Sequence, residues 1–336
     1  MNTARRSRPE VSFIIVARNA EKHLPRLLQN YLEQDYPPPR RELIIVDSRS
    51  SDATRRLAEE FAAAHPELEV TILENPKLTL SPGWNLGIRH ARGEIVVRLD
   101  AHIAMPPHYL SRGAQLLKER LREGVVCVGG PLTTKGEGFW GRAIAAVLSS
   151  PFGVGNSPFR HGNRQGYVET VPSGLYWRRV FEVVGLFRED LVRAQDNEMH
   201  ARIRARGWKF YLSPELRCTY YCRNTIPAFL KQAWANGYWM VRVWRQASWR
   251  HLVPMAFVGT LGVLGLGGLV VPVLAQGLGL LLLTYTAAAL VSSRRAGTDL
   301  GGLRFLLLPP LFFLLHTTYG LGSWWAWLTA LGKRRS

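Results

Sequence analysis

The chain is short of three things, and each shortage excludes a class of protein. Cysteine occurs only at Cys127, Cys218 and Cys222. So odd and sparse a set rules out a disulfide framework, and Cys218-x3-Cys222 lacks further Cys or His at ligand spacing, which leaves buried thiols in a reducing compartment rather than a zinc site. Acidic residues disappear from the later part: of 25 Asp and Glu, only Asp299 follows residue 250. Charge of either sign is missing from Leu252 to Val291, a run of 40 residues. As helix, at ~1.5 Å per residue, it would reach about 60 Å, enough for two crossings of a ~30 Å hydrocarbon core and too long for the core of a soluble globule. No secretory leader is expected either. Met1 to Glu10 is charged, and the apolar run from Val11 is short and broken by Arg18, so the first domain is expected to stay in the cytoplasm.

What is present in excess is positive charge, +18 net. The basic residues thicken towards the apolar tail (Arg202, Arg217, Lys231, Arg242, Arg245, Arg250), as suits anionic lipid headgroups. Neither a ribonucleoprotein aromatic motif nor zinc-finger spacing accompanies them, so no nucleic-acid partner is expected. The 336 residues hold one α/β domain and something smaller. The layout read from the sequence is a tail at 1–10, an α/β domain at 11–228, an interfacial amphipathic helix at 229–250 and an apolar transmembrane region at 251–332. Within that region a helical hairpin is expected over about 252–292, turning at Gln276 and Gly277. A third apolar segment, about 305–331, contains Pro309, Pro310, Gly320 and Gly322 and a headgroup-type cluster of Trp324, Trp325 and Trp327. With Arg250, Arg294 and Arg295 inside, one full crossing there would put Lys333-Arg334-Arg335 outside, against the positive-inside rule. A broken or re-entrant segment removes the conflict and is the preferred expectation.

Upstream, short apolar runs alternate with helical patterns: Ser12–Ala17, Leu43–Val46, Val70–Leu73, Ile95–Val97 and Val125–Val128. Their continuous hydrophobicity predicts strands buried on both faces, in a mostly parallel, doubly wound α/β sheet. Asp52 is placed to cap a helix from Ala53 to His65.

In such sheets ligands bind outside the carboxyl ends of the strands. The residues found there are Arg18-Asn19 after the first run, Asp47-Ser48 after the second and Asp100-Ala101-His102 after the fourth. Asp47 could equally open a turn, and Asp52 could do no more than cap. Asp100 and His102, two residues apart on one turn, can reach a common divalent cation that bridges a diphosphate. An imidazole in place of a second carboxylate favours Mn²⁺ over Mg²⁺.

Taken in order, these segments resemble the inverting family 2 glycosyltransferases of GT-A fold, and within them the succinoglycan glucosyltransferase branch. Val11 to Asn19 is similar to the family's opening strand, Glu42 to Thr54 to its nucleotide-binding strand and loop, and Asn85-Leu86-Gly87 with Ala91 to His102 to its donor-site segment and DxD-type metal motif. Pro172-Ser173-Gly174, Gly185-Leu186-Phe187 and Gln195-Asp196-Asn197-Glu198 resemble the acceptor-side stretch that ends in the catalytic carboxylate. The likeness covers about residues 11–225. It implies that Asp47 contacts the nucleobase with Asp52 in support, that Arg18, Asn85 and Gly87 belong to the donor site, that Asp100 and His102 hold the metal, and that Asp196 is the base. Glu198 is the competing base; it would share a face with Asp196 on a strand but not on a helix. The chain departs from the family at Gln195-Asp196, where Glu-Asp is common, and at Asp100-Ala101-His102, where Asp-x-Asp is common. Lys231 to Trp239 resembles a Gln/Trp-containing segment under the donor site, which would add Gln232, although the tighter Gln-x-x-Arg-Trp form of processive synthases is missing. Trp234, Tyr238, Trp239, Trp244 and Trp249 fit an interfacial belt equally well.

The activity so implied is transfer of a hexose, with inversion, from a nucleotide sugar, UDP-linked by expectation, to a polyprenyl diphosphate-linked saccharide. It would serve exopolysaccharide or other cell-surface glycan assembly on the cytoplasmic side of a plasma (inner) membrane that the chain crosses more than once. Two alternatives remain open, a polyprenyl-phosphate glycosyltransferase and a non-catalytic nucleotide-binding subunit of a glycan export complex.

Overall fold

Runs that are apolar on both sides of the backbone need cover on both faces, and as strands of a central sheet they get it from the elements packed against that sheet. A computed structural model describes residues 8–162, 164–246, 249–297, 300 and 302–332. The elements run β1 (Val11–Ala17), α1 (Leu24–Leu32), β2 (Arg41–Asp47), α2 (Thr54–Ala64), β3 (Glu69–Glu74), α3 (Leu80–His90), β4 (Ile95–Leu99), β5 (Ile103–Ala104), α4 (Tyr109–Glu119), β6 (Val125–Gly129) and β7 (Leu132–Lys135). Next come α5 (Gly138–Leu148), α6 (Pro151–Val154), α7 (Pro158–His161), β8 (Gly166–Val168), β9 (Leu175–Trp177), α8 (Arg179–Val184), α9 (Gln195–Ala205), β10 (Lys209–Leu212) and β11 (Cys218–Tyr221). Four long helices follow, α10 (Ile226–Arg242), α11 (Val253–Gly268), α12 (Pro272–Ala296) and α13 (Leu308–Gly332). The chain divides into two compact units, one of Met1–Thr133 with Gly162–Tyr220, the other of Thr134–His161 with Tyr221–Ser336.

The first unit is built on a mixed eight-stranded sheet of order β3-β2-β1-β4-β9-β6-β10-β8. β3, β2, β1 and β4 are parallel neighbours, as are β6 and β10; β9 runs antiparallel between β4 and β6, and β8 antiparallel at the edge. All residues of β2, β4 and β6 are buried, while β3, at the edge, is half-exposed. The chain leaves β1 for β2 and β3 on one side and returns to β4 on the other, so the topological switch lies beside β1. Helix α3 lies against β1 and β2 through two glycines one turn apart. A Cβ at Gly83 would meet Val16 Cγ1 at 2.5 Å and one at Gly87 would meet Ile14 Cγ2 at 2.6 Å.

In the second unit α11 and α12 form an antiparallel hairpin, with Gly267 against Leu274, Leu264 against Gly277 and Phe257 stacked on Tyr285. Its turn is Leu269–Val271, not Gln276–Gly277, which lie inside α12. Pro272 explains the difference. Proline holds Val271 extended (φ −118°, ψ 106°) and itself suits a first helical turn, whereas Gly277 is tolerated within the helix. The break expected in the third apolar segment is not there: α13 is one unbroken helix, because Pro309 and Pro310 fall in its first turn, where the missing N–H groups have no partner to lose. Lys333, Arg334 and Arg335, on which the topological expectation turned, lie outside the described residues. Three helical stretches, Trp249–Gly268, Pro272–Ala296 and Phe305–Ala330, are long and apolar enough to cross a membrane. Helix α10 packs on α13 at glycines: a Cβ at Gly237 would collide with the Tyr319 carbonyl and one at Gly322 with the Trp234 carbonyl, and Ser323 Oγ donates to the Gly237 carbonyl at 3.2 Å.

Candidate active site

Strand register decides where the first carboxylates stand. Asp47 closes β2 opposite Ala17 of β1, and Asp100 follows Leu99, the residue of β4 opposite Ile15 of β1. Both therefore leave the carboxyl edge of the sheet from strands on either side of β1, about 10 Å apart at ~4.8 Å per strand.

The Asp47 carboxylate is buried, yet its only donor among the described residues is the Ser50 amide, at 3.3 and 3.4 Å. Most of its acceptor capacity is left over for a ligand's N–H or O–H groups. The loop around it is rigidly tied. Asn19, with φ +47°, accepts from the Ser51 amide at 2.9 Å and donates its own amide to Ser50 Oγ, and Asn75 donates to Ser48 Oγ. Arg18 is exposed at the mouth of this loop pair.

Three of the expected site residues turn out to hold the scaffold. Asp52 accepts from Thr54 N and Oγ1 and, through its other oxygen, from Glu21 N, so it joins the loop after β2 to the loop after β1. The helix it was expected to cap starts one residue late, with Ala53 at the cap position. Asn85, expected in the donor site, has its amide committed to both backbone groups of Phe187 (2.8 and 2.9 Å) and to Glu189. Gly87 is the packing contact on Ile14. A motif read as donor-binding thus docks the 187–189 loop and seats α3, because a buried amide must first satisfy its own hydrogen bonds. Gln232 belongs to the second unit, half-buried on α10.

The centre of the site is a residue the sequence reading passed over. Arg98 interrupts the apolar run of β4, is 2 % exposed, and sits among the rings of Phe187, Trp84 and Tyr176 at 4.9, 5.2 and 5.8 Å. Its Nη1 donates to Asp196 Oδ1 at 2.6 Å. Asp196 is the second residue of α9, where the helix N-terminus favours a carboxylate, and 39 % of its side chain is exposed. Burial alone would raise its pKa, but the Arg98 guanidinium outweighs that and holds it below the usual carboxylate range. Asp100 goes the other way. Burial pushes it up to about 6; Arg98 opposes this and the negative charge of Asp196 adds to it. Arg98 lowers both carboxylates; at Asp196, which it hydrogen-bonds directly, it prevails, whereas at Asp100 burial does.

Glu198, the rival base, is buried and gripped by Arg202 through both oxygens at 2.9 Å, and Arg202 in turn donates to the Leu186 carbonyl at 2.8 Å. Because the segment is helical, Glu198 faces away from Asp196 and closes off the loop before α9. Beneath Asp196, His200 accepts or donates between Thr170 Oγ1 (2.7 Å) and Tyr176 OH (2.6 Å), and burial pushes its pKa down to about 3, against the pull of Asp196.

His102 stands two residues beyond Asp100 with its ring 5.3 Å from that of His23. Among the described residues no group of three or more His, Cys, Asp or Glu is arranged to hold a metal. The residues fit a divalent cation that takes one or two protein ligands and completes its shell with substrate phosphate oxygens; Asp100 and His102 would be those ligands.

A mixed, largely parallel sheet with carboxylates at its carboxyl edge defines an α/β domain of the class that takes its ligand at the strand ends. The Glycosyl transferase family 2 pattern matches residues 12–185, and the chain belongs to that family. It is 26 % identical over 315 residues (93 % of this chain, 95 % of the other) to the dolichyl N-acetyl-alpha-D-glucosaminyl phosphate 3-beta-D-2,3-diacetamido-2,3-dideoxy-beta-D-glucuronosyltransferase of Methanococcus voltae. It is also 27 % identical over 219 residues (64 % of each chain) to the succinoglycan biosynthesis protein ExoA of Rhizobium meliloti. Among solved structures, the mannosyltransferase PcManGT of Pyrobaculum calidifontis, in complex with GDP-Man and Mn²⁺, superposes with a TM-score of 0.65 at 20 % identity, over 95 % of this chain and 88 % of that one. The first unit has the GT-A fold.

Proposed function

We propose that this glycosyltransferase moves a hexose from a nucleotide sugar, with inversion, to a saccharide carried on a polyprenyl diphosphate, at the cytoplasmic face of a membrane anchored by its apolar helices. The observation that carries the reading is the gathering of Asp47, Asp100 and the Arg98-held Asp196 at one edge of one sheet. The lipid-linked acceptor is supported by the full-length likeness to an enzyme named for a dolichyl phosphate sugar and by the apolar helices.

In this reading Asp47 accepts from the nucleobase and Arg18 lies beside the same loop. Asp196 takes the proton of the acceptor hydroxyl as its oxygen attacks the anomeric carbon, and the nucleoside diphosphate leaves from the opposite side, so a single displacement inverts the centre. A divalent cation on Asp100 and His102, Mn²⁺ before Mg²⁺, supplies positive charge to the departing diphosphate when bound. Asp196 suits the task because it is ionised at neutral pH, partly open to solvent and fixed in direction.

Membrane extracts containing the protein, given radiolabelled UDP-glucose, UDP-GlcNAc or GDP-mannose, should move label into an organic-extractable product. Asp196→Asn should abolish that transfer and leave nucleotide affinity nearly intact. Label that stays in the aqueous phase with every donor would overturn the lipid-linked acceptor, and wild-type kcat in Asp196→Asn would overturn the base.

A further inference from the structure

All three apolar helices are long enough to cross a bilayer, but their packing assigns them different places. Phe313, Gly320 and Trp324 are spread over about 16 Å of α13. They meet, respectively, Phe257, Pro254 with Val258, and Met255 with Gly259, all within about 8 Å at the start of α11. A helix running alongside α11 would have advanced along it by twice that length. α13 therefore crosses the base of the α11–α12 hairpin steeply, close to the end that begins at Arg250. From α12 it takes Tyr285, whose hydroxyl pairs with His316 Nδ1 at 2.8 Å.

The middle of α13 lies against a helix that carries exposed cations and against a backbone turn. Residue 320 is the midpoint of α13; the Tyr319 carbonyl lies against Gly237 of α10, Gly322 against the Trp234 carbonyl, and Ser323 Oγ donates to the Gly237 carbonyl. That part of α10 has Lys231 exposed one turn before it and Arg242 exposed just after it. At Phe312 and His316 the neighbour is the turn around Gly153, whose carbonyl faces His316 Nε2 at 3.3 Å. Next in that turn, the Asn156 carbonyl accepts from Arg250 at 2.9 Å. Irregular backbone and exposed cations do not sit at the centre of a hydrocarbon layer. A spanning α13 would put both there. The hairpin shows the opposite character: Leu266, Leu269 and Val270 are 74–83 % exposed, with no charged side chain from Leu252 to Val291.

We propose that α13 lies in the plane of one leaflet, side by side with α10 in the headgroup layer, and that only the α11–α12 hairpin enters the hydrocarbon core. The partner of the α10–α13 surface is thus a lipid headgroup layer. The unit is suited to it, holding 14 of the 43 Lys and Arg but only two of the 25 Asp and Glu. The chain beyond α13 then emerges on the side of Arg250, Arg294 and Arg295, and the positive-inside conflict of a third crossing disappears. The inference rests on membrane anchoring in the proposed function but not on the chemistry.

Two measurements on the full chain in membranes test it. Single cysteines are introduced as Ser336→Cys and Glu137→Cys, the three native cysteines being buried, and labelled with a membrane-impermeant maleimide in inside-out and right-side-out vesicles. Both should label in the same vesicle orientation; labelling in opposite orientations means a third crossing and overturns the proposal. Leu321→Cys, next to the midpoint of α13 and 49 % exposed, carries a fluorophore in proteoliposomes. A spin label near the lipid headgroup should quench it several-fold more than one at the acyl-chain end, and the reverse order overturns the proposal. Extraction of the protein by carbonate would instead defeat membrane anchoring itself.

Discussion

Arg98→Met is the perturbation on which the site's geometry makes its sharpest statement. Methionine fills much of the volume among Trp84, Tyr176 and Phe187 and removes only the cation. Breaking a fully buried ion pair costs ~3–5 kcal/mol because the partner is stranded. Asp196 keeps 39 % of its side chain exposed and can turn to water, so the loss of stability should fall below that range and the domain should fold. Freed from Arg98, however, Asp196 no longer has a fixed direction. A displacement near 1 Å in a reacting group costs about 100-fold in rate, equivalent to ~2.7 kcal/mol of barrier. The expected outcome is kcat about 100-fold lower with nucleotide affinity unchanged, and partial recovery in Arg98→Lys, which restores the charge without the planar fork. Sugar transfer from the three radiolabelled donors measures the rates, and a thermal-shift titration with UDP and GDP measures the affinity. The double variant Arg98→Met/Asp196→Asn should be no slower than Asp196→Asn, since two groups acting as one unit are not additive. If Arg98→Met keeps the wild-type rate, or if its loss multiplies with that of Asp196→Asn, the guanidinium does not act through Asp196 and the reasoning fails.

Glu198→Gln should lower the melting temperature by several degrees, because Arg202 loses its buried carboxylate partner at ~1.5–3 kcal/mol, yet leave kcat near wild type; a large fall in kcat at unchanged stability would return Glu198 to the role of base. His200 contributes to acid sensitivity. Its folded pKa, near 3, lies below the unfolded value of about 6.5, so the unfolded chain binds the extra proton and stability is lost as pH falls between those two values, by up to ~1.4 kcal/mol per pH unit. Melting curves at pH 7.5 and 5.5 should therefore show a larger drop for the wild type than for His200→Gln, and equal drops would mean the imidazole is not kept neutral.

The legible parts of this chain are those that backbone geometry alone determines. Apolar runs of four to seven residues, rich in β-branched side chains and bounded by turns, are too short for helices and read as strands covered on both faces, so β1, β2, β4 and β6 are legible directly, and the polar residues that end them emerge at one common edge. Asp47 and Asp100 were visible for that reason. Residues whose place depends on a partner far along the chain were not. Asn85 is bonded to Phe187, 102 residues on, and Gly87 packs on the side chain of Ile14 on the strand beneath it; short-range pattern shows neither pairing. The hairpin turn was assigned to the one Gln-Gly step in an apolar run, whereas the physical break is proline, which restricts the residue before it.

Arg98 did leave a trace, a cation in the middle of an otherwise apolar strand. A fully buried charge is tolerated only when paired, so its presence requires a buried or half-buried acid at tertiary distance. The acids that could serve stand on loops or helix starts, and those on hand in the acceptor-side stretch were Asp196 and Glu198. The helical phase of α9 separates them, since Glu198 can reach Arg202 one turn on and Asp196 cannot. A charge that seems misplaced in a strand therefore adds a second reason, independent of the resemblance, to place Asp196 before Glu198. By the same argument the strand arginine and the helix-start aspartate form a single unit, and substituting either one reports on the other.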